Sequence, residues 1–192
     1  MNLRVKNKWV IGLTGSMLSG KSTALADFQA QGAATFSADE IVRQLYKKPR
    51  VQQRLENWFG TLEKEEISRQ VFTNPSKRKQ LERFIHPLVL KELAQKIKKS
   101  SQYLIVIEIP LLFEAGWEKM TDLNVLIMAD PKTLLVRLKK RGLTRSAYEA
   151  RLKAQWPEEK KAALADVIFF HKTKIDLKWK VQRFCKALDL LK

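Results

Sequence analysis

The sequence is poor in the residues that form disulfides, metal clusters and membrane spans. It contains one cysteine, Cys185, and two histidines among 192 residues. A single cysteine excludes an intramolecular disulfide and favours a reducing compartment, and no zinc-finger spacing is present. No apolar run reaches the roughly 18 residues that a transmembrane helix needs. The N-terminal segment MNLRVKNKWV has no apolar core, so no secretory signal is predicted and the expected location is the cytoplasm.

Acidic residues are scarce relative to basic ones. Asp and Glu number 20 against 37 Lys and Arg, which gives a formal net charge of +17 at pH 7. Three explanations are open: nucleic-acid binding, the handling of small polyanions, or lysine-rich helix faces in water. The basic residues are spread along the whole chain and no RNA-binding aromatic motif accompanies them. This pattern favours small polyanions over a specific nucleic acid.

The chain also lacks internal repeats, low-complexity tracts and Pro/Gly-rich linkers, which predicts one compact unit. Short apolar runs predict strands at 10–14, 33–38, 103–113, 123–130 and 165–170. Helical periodicity predicts a first helix that begins near residue 22 and ends at Gln31. Further helices are predicted at 39–46, 51–59, 75–85, 87–99, 131–142, 146–156 and 177–191. Strands that alternate with helices predict an α/β fold with a parallel sheet covered on both faces.

The segment GSMLSGKS, Gly15 to Ser22, fits the phosphate-loop pattern G-x-x-x-x-G-K-[ST] between a strand and a helix. Backbone N–H groups and the positive end of the helix dipole are suited to cradle an anion. The lysine is suited to contact the β and γ oxygens and the following hydroxyl to bind Mg²⁺. The predicted nucleotide-binding residues are Gly15, Leu18, Ser19, Gly20, Lys21, Ser22 and Thr23. Ser16 and Leu18 stand where glycine is common, and we expect the backbone there to avoid positive φ.

Phosphoryl transfer also needs a base and cations near the migrating charge. Asp39 is expected to end the second strand, on the same edge of the sheet as the phosphate loop, and is the candidate base, with a helix N-cap as the alternative role. Glu108 ends the LIVIE run and is the candidate acid beside Mg²⁺, with a solvated strand end as the alternative. Arg137 and Arg141 are four residues apart on one helix face and are suited to clamp phosphate oxygens, with a solvated basic face as the alternative.

Together with the phosphate loop, the segment IPLLFEAGW at 109–117 resembles dephospho-coenzyme A kinase, and the resemblance covers nearly the whole chain. SADEIVR resembles the family's D-A-D-x-x-A-R segment, with Asp39 at the second acid and Arg43 at the arginine. The family's His-Pro falls at His86-Pro87, and its most specific motif is PLLFE at 110–114. Lid positions fall at Arg137, Arg141, Arg151 and Gln155. Ser37 stands in place of the family's first acid, and His171 opens the loop that is Asn-centred in the family.

The resemblance implies an ATP-dependent kinase that phosphorylates the 3′-hydroxyl of dephospho-coenzyme A, with Mg²⁺ as cofactor. It implies a P-loop kinase fold with a core (about 1–48, 101–136 and 156–192), a helical substrate-binding flap (about 49–100) and a lid (about 137–155). The predicted catalytic residues are Asp39, Lys21 and Arg141; the substrate-binding residues Arg43, His86, Leu112 and Glu114; and the metal ligands Ser22 and Glu108. The expected partner is the small-molecule substrate, without specific nucleic acid or membrane, and the chain is expected to be a monomer or weak homo-oligomer.

Two other functions are also open at this stage. One is a P-loop kinase that acts on another nucleoside or nucleotide, and the other is a non-catalytic nucleotide-binding or RNA-associated paralogue. The PLLFE and SADEIVR segments favour dephospho-coenzyme A over other acceptors. The joint presence of Lys21, Ser22, Asp39 and Arg141 favours an enzyme over a non-catalytic protein, since phosphoryl transfer uses all four.

Overall fold

The structure, a computed structural model, describes residues 2–142, 144, 148–149, 152 and 155–191. The chain forms two compact units, one of Met1–Ser37 with Ser100–Lys192 and one of Ala38–Lys99. The strands are β1 Trp9–Thr14, β2 Ala34–Ser37, β3 Leu104–Glu108, β4 Leu123–Ala129 and β5 Val167–His171. The helices are α1 Lys21–Ala30, α2 Ala38–Leu45, α3 Pro49–Phe59, α4 Lys64–Thr73, α5 Pro75–Lys99, α6 Pro131–Lys140, α7 Glu158–Ala162 and α8 Lys174–Asp189, with a 3₁₀ turn at Glu118–Met120.

The first unit is built on a five-stranded sheet in the order β2-β3-β1-β4-β5, with every neighbouring pair parallel. Its central strands are apolar on both faces, as expected for strands covered by helices on both sides. The loop after β1 therefore leaves the middle of the sheet at the carboxyl edge, where parallel α/β sheets bind their ligands. The predicted parallel five-stranded sheet is confirmed.

The core of this unit lies between alternate strand residues and the helices α1 and α8, which pack against each other. Phe28 of α1 contacts Phe169 and Phe184, with ring centroids 6.4 and 6.0 Å away. Phe28 is fully buried, which stabilises the fold by about 1.5–3 kcal/mol. α1 ends as the sequence predicts: Gln31 caps it and Gly32 follows with φ 86°.

The second unit contains α2 to α5, and α5 packs against both α2 and α4. The sequence predicts separate helices before and after Pro87, but α5 runs through this residue without a break. The prediction is wrong because an apolar face continues across the proline, with Ile85, Val89, Leu93 and Ile97 all buried. That burial offsets the roughly 3 kcal/mol that an internal proline costs a helix.

The strand predicted at 103–113 is also too long, since β3 ends at Glu108. Pro110 has no N–H to donate to a sheet, and the chain turns, with Ala115 N–H donating to the Leu111 carbonyl. A further correction concerns Asp39, which lies in the first turn of α2 and not at a strand end. None of the helices in the described ranges is long and apolar enough to cross a bilayer.

Candidate active site

The loop between β1 and α1 has a backbone that only glycine fits at its first position. Gly15 has φ 151°, and a Cβ atom there would lie 2.4 Å from the Ile127 carbonyl oxygen and 2.6 Å from Ser19 Oγ. Gly20, with φ 107°, caps the N-terminus of α1. These two glycines let the loop pack closely against β4 and enter α1, whose N-terminus is suited to hold an anion.

Leu18 departs from the expectation that the loop avoids positive φ, since its φ is 67°. Ser16 is not in that region, so the expectation is wrong at Leu18 only. A left-handed conformation costs a side-chain-bearing residue about 1–2 kcal/mol. Two contacts on backbone oxygens hold Leu18 in this conformation. Arg137 Nη1 donates to the oxygen of Leu18 itself at 2.7 Å, and His171 Nε2 lies 2.7 Å from the oxygen of the next residue, Ser19.

Polar groups of the loop fit a polyphosphate. Lys21 Nζ donates to the carbonyl oxygens of Gly15 and Ser16 at 2.8 and 3.0 Å, which places its charge over the loop. Ser19 is 1% exposed, and its Oγ has no hydrogen-bond partner within the part of the chain that the structure describes. A buried orphaned hydroxyl is costly unless a ligand completes it. The first turn of α1 contains no acidic residue to neutralise the helix dipole.

Other candidate residues lie in the first turn of α1 and at the carboxyl edge of the sheet. Ser22 and Thr23 follow Lys21 directly, and Ser22 is exposed. Glu108 ends β3 in register with Leu13 of β1 and Ser37 of β2. The described residues contain no group of three or more His, Cys, Asp or Glu side chains that could hold a metal by themselves. A cation bound at this edge would need oxygen ligands from a phosphate as well.

The turn after β3 carries Leu112 and Glu114, which the family resemblance assigns to the substrate. Leu112 is fully buried, with its side chain against Gly12, so only its backbone could meet a ligand in this conformation. Glu114 Oε1 accepts from the Trp156 N–H at 2.9 Å and lies 3.0 Å from Lys161 Nζ, while Lys161 itself is fully buried. Their roles toward substrate stay predictions.

The lid is only partly described. Arg137 is half-buried, and burial together with the charge of Arg141 lowers the pKa of its guanidinium. Arg141 caps α6 and is exposed. Arg151 lies outside the described residues. Gln155 Oε1 lies 3.4 Å from Lys161 Nζ.

The second unit carries the remaining predicted residues. Asp39 is the second residue of α2 and lies inside the helix, so the alternative position as N-cap is not the observed one. Arg43 is exposed and pairs with Glu40 at 2.5 Å. His86 is half-buried in α5. Burial lowers its pKa, and the nearby charge of Glu82 acts in the opposite direction but is the smaller effect. The catalytic and substrate roles of Asp39, Arg43 and His86 stay predictions.

Two structural roles in the first unit have no signal in the local sequence. His171 contacts the phosphate loop across 152 positions of the chain. Lys161 lies in the run EEKK, whose composition is typical of a solvated helix. Neither residue carries a local signal, because both roles arise only when distant segments pack together.

Comparison with known proteins gives a consistent result. The model of the dephospho-CoA kinase family matches residues 9–176. A dephospho-CoA kinase from Bartonella quintana is 37% identical over 173 residues, which cover 83% of this chain and 87% of that protein. One from Fusobacterium nucleatum is 30% identical over 189 residues, covering 93% and 98%.

Solved structures show the same fold. A protein from Thermus thermophilus superposes with a TM-score of 0.85 at 30% identity, covering 95% of this chain and 97% of that one. Dephospho-CoA kinase from Campylobacter jejuni gives a TM-score of 0.64 at 25% identity, covering 93% and 98%. A shikimate kinase from Bacteroides thetaiotaomicron gives a TM-score of 0.55 at 19% identity, covering 94% of this chain and 98% of that one. This likeness supports the fold alone. The predicted P-loop kinase fold is confirmed.

Proposed function

Because the chain belongs to the dephospho-CoA kinase family, we propose that it transfers the γ-phosphoryl group of ATP to the 3′-hydroxyl of dephospho-CoA. The family consists of ATP-dependent kinases, so the donor and the reaction class follow from membership. The acceptor and the role of each residue are the proposed part. The observation that carries the proposal is the family match across residues 9–176, which includes a phosphate loop whose buried Ser19 hydroxyl still needs a partner.

ATP binds in this proposal through the phosphate loop. The N–H groups of Gly15, Leu18 and Gly20 to Thr23 hold the β and γ phosphates, and the Ser19 hydroxyl donates to one of their oxygens. Lys21 exchanges its bonds to the loop carbonyls for bonds to phosphate. Such an exchange places the ammonium where negative charge moves during transfer. Arg141 closes over the same phosphate from the lid and keeps water away.

Asp39 acts on the acceptor. Its carboxylate accepts or orients the proton of the ribose hydroxyl, which then attacks the γ phosphorus in line with the leaving group. Ser37 stands in place of the family's first acid, so Asp39 has no second carboxylate two residues earlier to share this task. Arg43, His86, Leu112 and Glu114 hold the dephospho-CoA, with Arg43 as the cation for its phosphates.

Ser22 and Glu108 are the residues that would hold Mg²⁺ together with phosphate oxygens. The ion supplies charge neutralisation on the transferred group when bound. An exposed hydroxyl in the first turn of α1 and a carboxylate at the strand edge are hard oxygen donors, which fit this ion. The single cysteine, buried and free, supports a cytoplasmic protein, and a monomer or weak homo-oligomer is proposed.

The test is an assay of purified protein with Mg-ATP and dephospho-CoA, compared with nucleosides and nucleoside monophosphates. We expect phosphorylation of dephospho-CoA with kcat/KM of about 10⁴ M⁻¹s⁻¹ or more. Preference for a nucleoside or a nucleotide would instead support the other kinase function. No transfer to any acceptor, with ATP still bound, would support the non-catalytic function.

Lys21→Ala tests the donor side of the same proposal. Because Lys21 neutralises the moving charge, its loss should lower kcat by about 10²-fold or more. The fold should be unchanged, as measured by thermal unfolding. Lys140→Ala is the matched control, since Lys140 is exposed at the end of α6 and belongs to no motif. Parent-like turnover by Lys21→Ala would contradict the assignment of this loop as the site that binds the ATP phosphates.

A further inference from the structure

The two central residues of the phosphate loop, Leu18 and Ser19, are held through their carbonyl oxygens by side chains from distant parts of the first unit. Arg137 comes from α6 and His171 from the end of β5. The geometry points to His171 as a positioning residue for the phosphate loop. It holds the Ser19 carbonyl while Arg137 holds that of Leu18, and this keeps a loop with leucine at a left-handed position ready to bind ATP.

The two ring nitrogens of His171 face two backbone oxygens, one in the phosphate loop and one in the segment that follows β5. The residue is fully buried, with Nε2 2.7 Å from the Ser19 oxygen and Nδ1 3.1 Å from the Thr173 oxygen. A carbonyl oxygen only accepts, so the ring must donate in each bond. The bond to Ser19 therefore needs a proton on Nε2. With both nitrogens against backbone oxygens, the His171 side chain acts on the backbone of the protein.

The histidine stands on a rigid base. β5 pairs with β4, and the His171 carbonyl accepts from the Asp130 N–H at 2.9 Å. Thr173 caps α8 by accepting from the Asp176 N–H at 3.1 Å. The backbone is therefore held by hydrogen bonds at His171 and just after it, and this fixes the position from which the ring extends. A fixed donor can define the direction of the Ser19 carbonyl, and hence of the next peptide N–H in the cradle.

The loop needs such support because its own sequence opposes its conformation. Leu18 has φ 67°, and residues in sparsely populated conformations persist only where the surroundings over-determine them. Arg137 and His171 also meet at the start of α1: a Cβ atom on Gly20 would lie 3.1 Å from Arg137 Nη1 and 3.1 Å from His171 Nε2. The two side chains thus fix adjacent carbonyls immediately before the helix that carries Lys21.

This inference rests on the proposed function only in taking ATP as the ligand of the loop. Its test therefore measures ATP affinity without any acceptor. If the parent binds ATP but does not phosphorylate dephospho-CoA, the proposed acceptor is wrong and the role of His171 is still decided by the binding data.

The variants His171→Gln and His171→Asn separate the two ring nitrogens. The Gln amide nitrogen reaches the position of Nε2, whereas that of Asn reaches only the position of Nδ1. We expect the dissociation constant of ATP, measured by calorimetry, to rise about tenfold in His171→Asn and to stay within about threefold of the parent in His171→Gln. Lys172→Ala, an exposed neighbour, is the control and should match the parent.

The same substitutions in a Leu18→Gly background test the link to the strained residue. Glycine adopts the left-handed conformation freely, so His171→Asn should there weaken ATP binding by less than about threefold, a coupling that a double-mutant cycle measures. Thermal unfolding without ATP identifies a simple folding defect. Equal ATP affinities for the Asn and Gln variants, or an unchanged Asn effect in the Leu18→Gly background, would overturn the inference.

Discussion

Asp39 is the residue on which the proposed chemistry depends most. The substitution Asp39→Asn keeps the size of the side chain and removes the carboxylate, so it should separate catalysis from folding. We expect near-parent thermal stability and ATP affinity, with kcat lowered by roughly 10²–10⁴-fold because no second acid stands at position 37. Turnover within a few-fold of the parent would mean that the base is elsewhere, with Glu108 the next candidate.

Single residues were predictable from sequence where a short motif fixes their role. Gly15 and Lys21 follow from the phosphate-loop pattern. The structure gives Gly15 a φ of 151° and places Lys21 Nζ 2.8 Å from the Gly15 oxygen, while the roles of both residues toward a nucleotide stay predictions. The left-handed Leu18 was not predictable, because its conformation is held by Arg137 and His171 from far along the chain. A local preference for negative φ was there outweighed by tertiary contacts.

At the scale of elements, the turn after β3 is tied to α7 by the buried pair of Glu114 and Lys161. Removing one partner of a buried pair leaves an uncompensated charge, which costs about 3–5 kcal/mol. We therefore expect Lys161→Met to lower the free energy of unfolding by about 3 kcal/mol or more, measured by urea denaturation.

The double variant Glu114→Leu/Lys161→Met supplies the matched control for this prediction. With both charges gone, most of the lost stability should return, since an apolar pair of similar volume replaces the ions. If the double variant is as unstable as Lys161→Met, the ion pair is not the cause, and the defect arises from packing or from the Trp156 N–H that has lost its acceptor. Activity of the double variant is a separate measurement, because Glu114 is also a predicted substrate ligand.

Most elements were predictable because their signals are local. The strands and the end of α1 follow from apolar runs and from Gly32. Errors occurred at prolines, where two opposite outcomes were possible. Pro87 lies inside α5 because a buried face continues past it, whereas Pro110 follows the end of β3 and has no N–H to donate to the sheet. Both prolines are evident in the sequence, but whether the helix or strand continues depends on the packing around them.

For the whole molecule, the net charge of +17 is the property with the widest consequences. We expect it to serve small polyanions, so RNA and DNA should bind weakly and without sequence preference. Binding should fall steeply as salt rises, because it depends on counterion release. Filter binding or anisotropy at 50 and 200 mM salt measures this. Nanomolar, sequence-selective binding at physiological salt would contradict the expectation and favour an RNA-associated role.

The order of the strands also sets when the protein can begin to fold during synthesis. β1, which leads into the phosphate loop, pairs with β3 and β4. Trp9 therefore has no β3 partner until Leu104 has been made, and Ile11 has no β4 partner until Leu123 has been made. At about 5–20 residues per second, the ribosome delivers β3 roughly 5–20 s after β1. During that interval the apolar VIGL segment of β1 has neither neighbour, and such unpaired strands are prone to aggregate. The helices of Ala38–Lys99, whose contacts are local, can form in the meantime. The strand that leads into the predicted ATP-binding loop is therefore among the first segments to be made, and it stays unpaired until β3 and β4 follow.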